Sequence, residues 1–221
     1  MKQYKLAIFD MDGTILDTLT DLYLSVNHIL KEAGMPERTK EEVRMFVGNG
    51  IHKLIERAVP EGTDDETIDA LFHQMLVYYN DHCTAHTAPY AGIPELLQEL
   101  KAKGLKVAVV SNKANTAVQT LCEQYFAGIF QAAVGEKPGV NRKPAPDSVN
   151  AVLAELQVAR EDAVYIGDSD VDLKTAENAA MDCIGVDWGF RGEAFLRKHG
   201  CQNVVFEPKE IATQLLEGIQ A

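Results

Sequence analysis

An apolar run, Leu6-Ala7-Ile8-Phe9, that stops at two carboxylates, Asp10 and Asp12, constrains this chain more than any other feature. Apolar residues of that bulk in succession suit a buried strand. Gly13 then lets the backbone turn, and Thr14 offers a hydroxyl and a backbone N–H. In an open α/β sheet, ligands bind beyond the carboxyl ends of the strands. Paired acids at such an end call for a cation, a proton or both.

The partners for that strand arrive only after residue 100. Residues 4–10, 106–111, 130–134, 163–167, 183–186 and, more weakly, 203–206 read as strands. Helical stretches near 94–103, 115–125, 146–156, 170–180 and 208–218 separate the later ones. The alternation predicts an α/β fold, a Rossmann-like doubly wound parallel sheet with crossover helices on both faces. From Ile15 to about Cys83 the pattern differs. Leu16, Leu19, Leu22, Val26 and Ile29 recur at helical spacing until Gly34 and Pro36. Thr39 and Glu42 form a capping-box pair, Gly48-Asn49-Gly50 interrupts, and a long helix follows over Ile68–Tyr79. This block reads as several helices without a strand, inserted just after the aspartates and placed to act as a lid. The expected division is an α/β core of residues 1–15 and 86–221 and a helical cap of residues 16–85.

With 221 residues, 46% hydrophobic and 24% charged, the chain buries an ample core without a metal or disulfide to hold it. A net charge of −12 disfavours nucleic acid and anionic membranes as partners. Small phosphorylated molecules stay open, because one lysine or metal can dominate a pocket. The scattered cysteines, with no signal segment and no apolar run of membrane-spanning length, predict a cytoplasmic chain with reduced thiols. Monomer and homodimer both remain open.

Further polar features fall at strand ends or in loops. Ser111-Asn112 ends a strand, and Lys143 sits before Pro144, which disfavours helix there. Gly167-Asp168-Ser169-Asp170-Val171-Asp172 ends another strand and opens a helix, with Asp168 and Asp172 on one helical face. Singly, each has an ordinary reading as solvated acids, a turn after a strand, or a surface lysine. An EF-hand reading of the acidic run fails, because its sixth position is Leu173 and its twelfth Ala179. His82, Cys83 and His86 lack a nearby fourth zinc ligand and read as polar residues of a cap-to-core hinge. Arg44, His52, Lys53 and Arg57 around the glycine loop are either substrate contacts or a solvated face. Trp188 and Phe190 read as packing near the sheet end.

Taken in order, Asp-x-Asp-Gly-Thr at 10–14, Ser111, Lys143 and Gly-Asp-Ser-x-x-Asp at 167–172 resemble the haloacid dehalogenase superfamily of phosphohydrolases. The resemblance covers nearly the whole chain, the helical block matching that family's first (C1) cap type. Gly48-Asn49-Gly50, Asn112-Lys113 and Trp188-Gly189-Phe190 liken it to the phosphoglycolate phosphatase-like branch. This implies a Mg²⁺-dependent phosphatase acting on a small phosphorylated metabolite. By that resemblance Asp10 is the nucleophile and Asp12 the general acid–base. Mg²⁺ is held by Asp10, Asp168 and the Asp12 carbonyl, with Asp172 supporting the metal shell. Ser111, Asn112 and the amides near Gly13 and Thr14 bind the phosphoryl group, and Lys143 neutralises nucleophile and phosphate. The residue types suit the chemistry, because Mg²⁺ takes carboxylate and phosphate oxygens and phosphoryl transfer is mainly electrostatic work. Asp12 argues against the family's dehalogenase and carbon–phosphorus hydrolase branches. A phosphomutase, a pyrophosphatase, or a non-catalytic module that binds a phosphorylated ligand remain alternatives.

Overall fold

The computed structural model describes residues 3–217. Its elements in chain order are β1 Leu6–Phe9, β2 Leu16–Asp17, α1 Leu19–Glu32, α2 Lys40–Phe46, α3 Gly50–Ala58, α4 Asp65–His82 and β3 Ala88–Pro89. There follow α5 Ile93–Ala102, β4 Lys106–Ala114, α6 Asn115–Phe126, β5 Ala132–Glu136, α7 Asp147–Leu156 and β6 Ala163–Gly167. The chain closes with α8 Asp170–Asn178, β7 Asp182–Val186, α9 Glu193–Lys198, β8 Val204–Val205 and α10 Pro208–Leu216. Residue 218 of the last expected helix lies outside the described residues.

Six strands form one parallel sheet in the order β5-β4-β1-β6-β7-β8. β1 is central and therefore buried on both faces. Its Ala7 and Phe9 join the core that also contains the buried residues of α1–α5, whereas Leu6 and Ile8 join the opposite layer with Val149, Val152 and Tyr165. This period-two division is what a strand with wholly apolar sequence requires.

Helices α1–α4 pack on one another between β2 and β3. Thr39 and Glu42 complete the reciprocal cap of α2, and Gly50, with φ +83°, opens α3 where the glycine loop was expected to break the pattern. Three details differ from the sequence reading. β2 pairs antiparallel with β3, so the inserted block begins with a two-residue strand, too short to show any period. α9 is likewise a short helix with little amphipathic signal. β4 runs on to Ala114 through an irregularity after Val110, so Ser111 and Asn112 lie within a bulged strand, not beyond its end. No helix among the described residues is long and apolar enough to cross a membrane.

Candidate active site

Parallel strands bring the polar features of β1, β4 and β6 to one edge. Asp10 follows β1, with its N–H donating to the Ile166 carbonyl of β6 at 2.9 Å. Asp168 follows β6, and an oxygen from each of Asp10, Asp168 and Asp172 falls within 4.8 Å of the others. Against these three buried carboxylates stands Lys143, 3% exposed, with Nζ 2.9 Å from Asp10 Oδ1 and 2.8 Å from Asp172 Oδ1. Burial works against the Lys143 charge, but Asp10 and Asp172 hold its pKa well above the ordinary lysine value.

Asp172 is occupied by protein donors. Its Oδ2 accepts from the N–H groups of Asp168 and Ser169 and from Ser169 Oγ, while Oδ1 accepts from Lys143. It fixes the loop that carries Asp168. Asp168 Oδ2 accepts from Phe190 N–H at 2.6 Å, and its Oδ1 accepts no hydrogen bond among the described residues. Asp10 Oδ1 is buried against the Lys143 ammonium at 2.9 Å, an ion pair whose hydrogen-bond alignment is poor. One ammonium thus serves two buried carboxylates, Asp10 and Asp172, and buried negative charge beyond what it neutralises calls for a further proton or cation. Burial, foremost, pushes the Asp10 carboxyl up to about 7; Lys143 opposes this, and the Asp172 and Asp12 carboxylates add to it. Asp168 is also pushed well up, chiefly by burial and then by Asp172 and Asp10. The crowded carboxylates of Asp10 and Asp168 form a hard, all-oxygen donor set that fits a divalent cation such as Mg²⁺. Backbone geometry makes room for them. Gly13, at φ +81°, and Gly189 both approach so closely that a Cβ on either would meet Asp168.

Asp12 stands apart from this cluster. Its Oδ1 accepts from Lys113 Nζ at 2.8 Å, and Lys113 also donates to the hydroxyl of Tyr79, from the cap helix α4, at 2.6 Å. Burial opposes the charge on Lys113 as well, but Asp12 and Tyr79 raise its pKa above the ordinary value.

Asp10, Asp12, Ser111, Asn112, Lys113 and Asp168 line a cavity of about 40 Å³ on the core side, and Leu22, Val47, Ile51 and Leu54 close it from the helical block. Lys143 and Asp172 lie below this surface. Gly13 and Thr14, near which amides were expected to bind a phosphoryl group, are not among the residues that line it. Gly13 N–H donates to Leu16 O at 2.9 Å and Thr14 N–H to Met11 O at 3.3 Å, both within the turn that ends β1. Asn112 Nδ2 donates to Gly48 O and Lys143 O, tying the glycine loop to the core, so its amide is engaged with protein. Arg44, His52, Lys53 and Arg57 do not line the cavity. His52 meets Asp69, Lys53 meets Glu56, Arg57 bonds Phe46 O and Asn49, and Arg44 bonds Glu41 and the Phe190 carbonyl.

Sequence reasoning missed the residues that join the two halves. Arg191 donates to the carbonyls of Arg44, Met45 and Val47, at the end of α2, whose last carbonyls have no partner within the helix. Phe190 was read as packing, but its backbone orients Asp168. Lys113 left a signal only in the Asn112-Lys113 pair that likens the chain to the phosphatase branch; its burial follows from β4 running on to Ala114. Buried Asp21 accepts from His86 N–H and Nδ1 and from Thr87 N–H and Oγ1, joining α1 to the returning strand.

Comparison with known proteins finds relatives over most of the chain. A Pseudomonas putida phosphoglycolate phosphatase is 32% identical over 84% of this chain and 70% of its own length. An Aquifex aeolicus phosphoglycolate phosphatase is 30% identical over 84% of this chain and 86% of its own. The crystal structure of a Lactobacillus delbrueckii subsp. bulgaricus protein, provisionally assigned as a phosphoglycolate phosphatase, superposes with a TM-score of 0.91 at 39% identity, covering 96% of this chain and 98% of that one. The model of the haloacid dehalogenase-like hydrolases matches residues 7–186, and the chain belongs to that family.

Proposed function

We propose that the protein is a Mg²⁺-dependent phosphatase of small phosphorylated metabolites that works through an aspartyl-phosphate on Asp10. The observation that supports this reading is the meeting of buried Asp10 and Asp168 with Lys143 at one cavity that Asp12 also lines. The names of the relatives support the substrate class.

Asp10 attacks phosphorus as the bond to the leaving oxygen breaks, and Asp12 delivers the proton that makes an alcohol of it. Asp12 then takes a proton from water, whose oxygen attacks the phosphorus of the aspartyl-phosphate. The P–O bond to Asp10 breaks, and the carboxylate and inorganic phosphate are released. Asp10, Asp168 and the Asp12 carbonyl would hold Mg²⁺, which when bound neutralises phosphoryl charge. Lys143 supplies fixed positive charge beside the nucleophile, and the Ser111 hydroxyl meets a phosphoryl oxygen. The helical block, residues 16–85, serves as a cap over the core of residues 1–15 and 86–221, excluding water during transfer. A cytoplasmic setting completes the reading.

Phosphate release measured across phosphorylated metabolites, with 2-phosphoglycolate and sugar phosphates among them, tests it. Turnover that stops with EDTA and returns with Mg²⁺ is expected. No release from any member, with the fold intact, would favour a binding module.

A further inference from the structure

Asp12 reaches the cavity from a carboxylate that the core alone does not position. Its side chain is 16% exposed, and Oδ1 is bound to an ammonium whose side chain is 1% exposed. That ammonium has a second partner from another part of the fold: the hydroxyl of Tyr79, a fully buried residue of α4, also facing Lys113 through its ring at 4.5 Å from the centroid. The three groups form one chain, Asp12–Lys113–Tyr79, running from the strand end of β1 through β4 into the helical block. Asp12 Oδ2 accepts no hydrogen bond among the described residues, so Lys113 takes one oxygen and leaves the other for the cavity.

We infer that Lys113 and Tyr79 are positioning residues for proton transfer by Asp12, aiming Oδ2 at the leaving oxygen only while α4 is seated on the core. This rests on the phosphatase reading above. Three observations favour it over a purely structural ion pair. A buried lysine fixed on two sides holds a carboxylate more rigidly than a surface pair, because neither partner can exchange it for water. The hydroxyl of Tyr79 is the cap's own polar group on this chain, so loss of α4 docking removes one of the ammonium's anchors. Moreover, Lys113 itself lines the cavity, so the orientation is set at the wall of the reaction space.

The experiment compares an alkyl phosphate with para-nitrophenyl phosphate. An alkoxide leaving group needs the proton in the phosphoryl-transfer step, whereas a nitrophenolate leaves without it. In Lys113→Met, kcat/KM for the alkyl ester should fall on the order of 100-fold, and that for the aryl ester by roughly tenfold or less. Tyr79→Phe, the milder variant, should show the same split at smaller size. Equal losses on both esters would overturn the proposal, since misfolding or general site damage does not distinguish leaving groups. Crystal structures of the wild type and of the two variants read the positioning directly, whatever the protein hydrolyses. A displaced or multiply oriented Asp12 carboxylate in Lys113→Met supports the inference. An Asp12 carboxylate unmoved in both variants overturns it. Failure of the wild type to hydrolyse either ester would instead count against the phosphatase reading, leaving the crystallographic result to decide the role of Lys113.

Discussion

Mild acidification of the metal-free protein, from about pH 7 to about pH 5, is expected to relieve the charge crowding of Asp10 and Asp168 and weaken the hold on Mg²⁺. Asp10 moves from an ordinary 3.8 to about 7 in the folded chain, raised first by burial and then by its acidic neighbours against the pull of Lys143. Asp168 moves in the same direction. Between these values the folded state binds more protons at these acids than the unfolded one, so their contribution to stability is complete below about pH 4 and falls as pH rises towards about 7. Asp10 alone accounts for about 4 kcal/mol over that window, at about 1.4 kcal/mol per pH unit. Mg²⁺ needs both carboxylates ionised, so binding expels the protons they hold. Its apparent affinity should then climb about tenfold per pH unit up to about pH 7, and more steeply where Asp168 also gives up a proton. Calorimetric titration with Mg²⁺ at about pH 5.5, 6.5 and 7.5, in buffers of different ionisation enthalpy, reads affinity and proton release together. Thermal melts in EDTA supply the metal-free stability. An affinity flat across that range with no proton released would refute the argument that burial and crowding keep the metal-free acids protonated.

Asp10→Asn should lower phosphate release on the order of 10⁴-fold or more while raising metal-free stability at about pH 8, because it removes one of the crowded buried charges. A variant both inactive and less stable would contradict the charge-crowding account. Asp21→Ala should cost about 3 kcal/mol in urea unfolding near neutral pH, since it strands the His86 and Thr87 donors. Burial alone would raise the Asp21 carboxyl, but the hydrogen bonds from His86 and Thr87 hold it below the ordinary value, so this penalty should shrink as pH falls through about 4. Gly189→Ala should destabilise by about 1–3 kcal/mol and weaken Mg²⁺ binding about tenfold, because the new methyl meets Asp168 and the Gly13 carbonyl. Calorimetry showing unchanged Mg²⁺ affinity would remove that glycine from the site's support.

The roles of the aspartates were legible in different degrees. Asp10 and Asp168 stand directly after buried apolar strands, and in a parallel sheet adjacent strands end on the same side, so their meeting follows from the pattern. Asp172 was legible only as a partner of Asp168. Its full set of donors depends on how Ser169 caps α8 and on the reach of Lys143. A sequence marks the turn at Gly13 and Thr14 without saying which of its N–H groups the turn consumes; here Gly13 N–H and Thr14 N–H are bonded within it.

By itself the sequence determined the strand–helix alternation, the insertion after β1, and the acids and lysine that need one another. These follow from local periodicity, and from the physical rule that buried charge must be met by opposite charge, hydrogen bonds or metal. Only the tertiary structure decided how the helical block engages the site. Tyr79 to Lys113, Gly48 to Asn112, and Arg191 to the end of α2 join residues 34, 64 and more than 140 positions apart. No periodicity links such residues; their pairing depends on the angle at which the helices seat on the sheet. The two carboxylates that close β1 thus share a strand end but answer to different partners: Asp10 to Lys143 within the core, and Asp12 to a lysine that the cap holds in place.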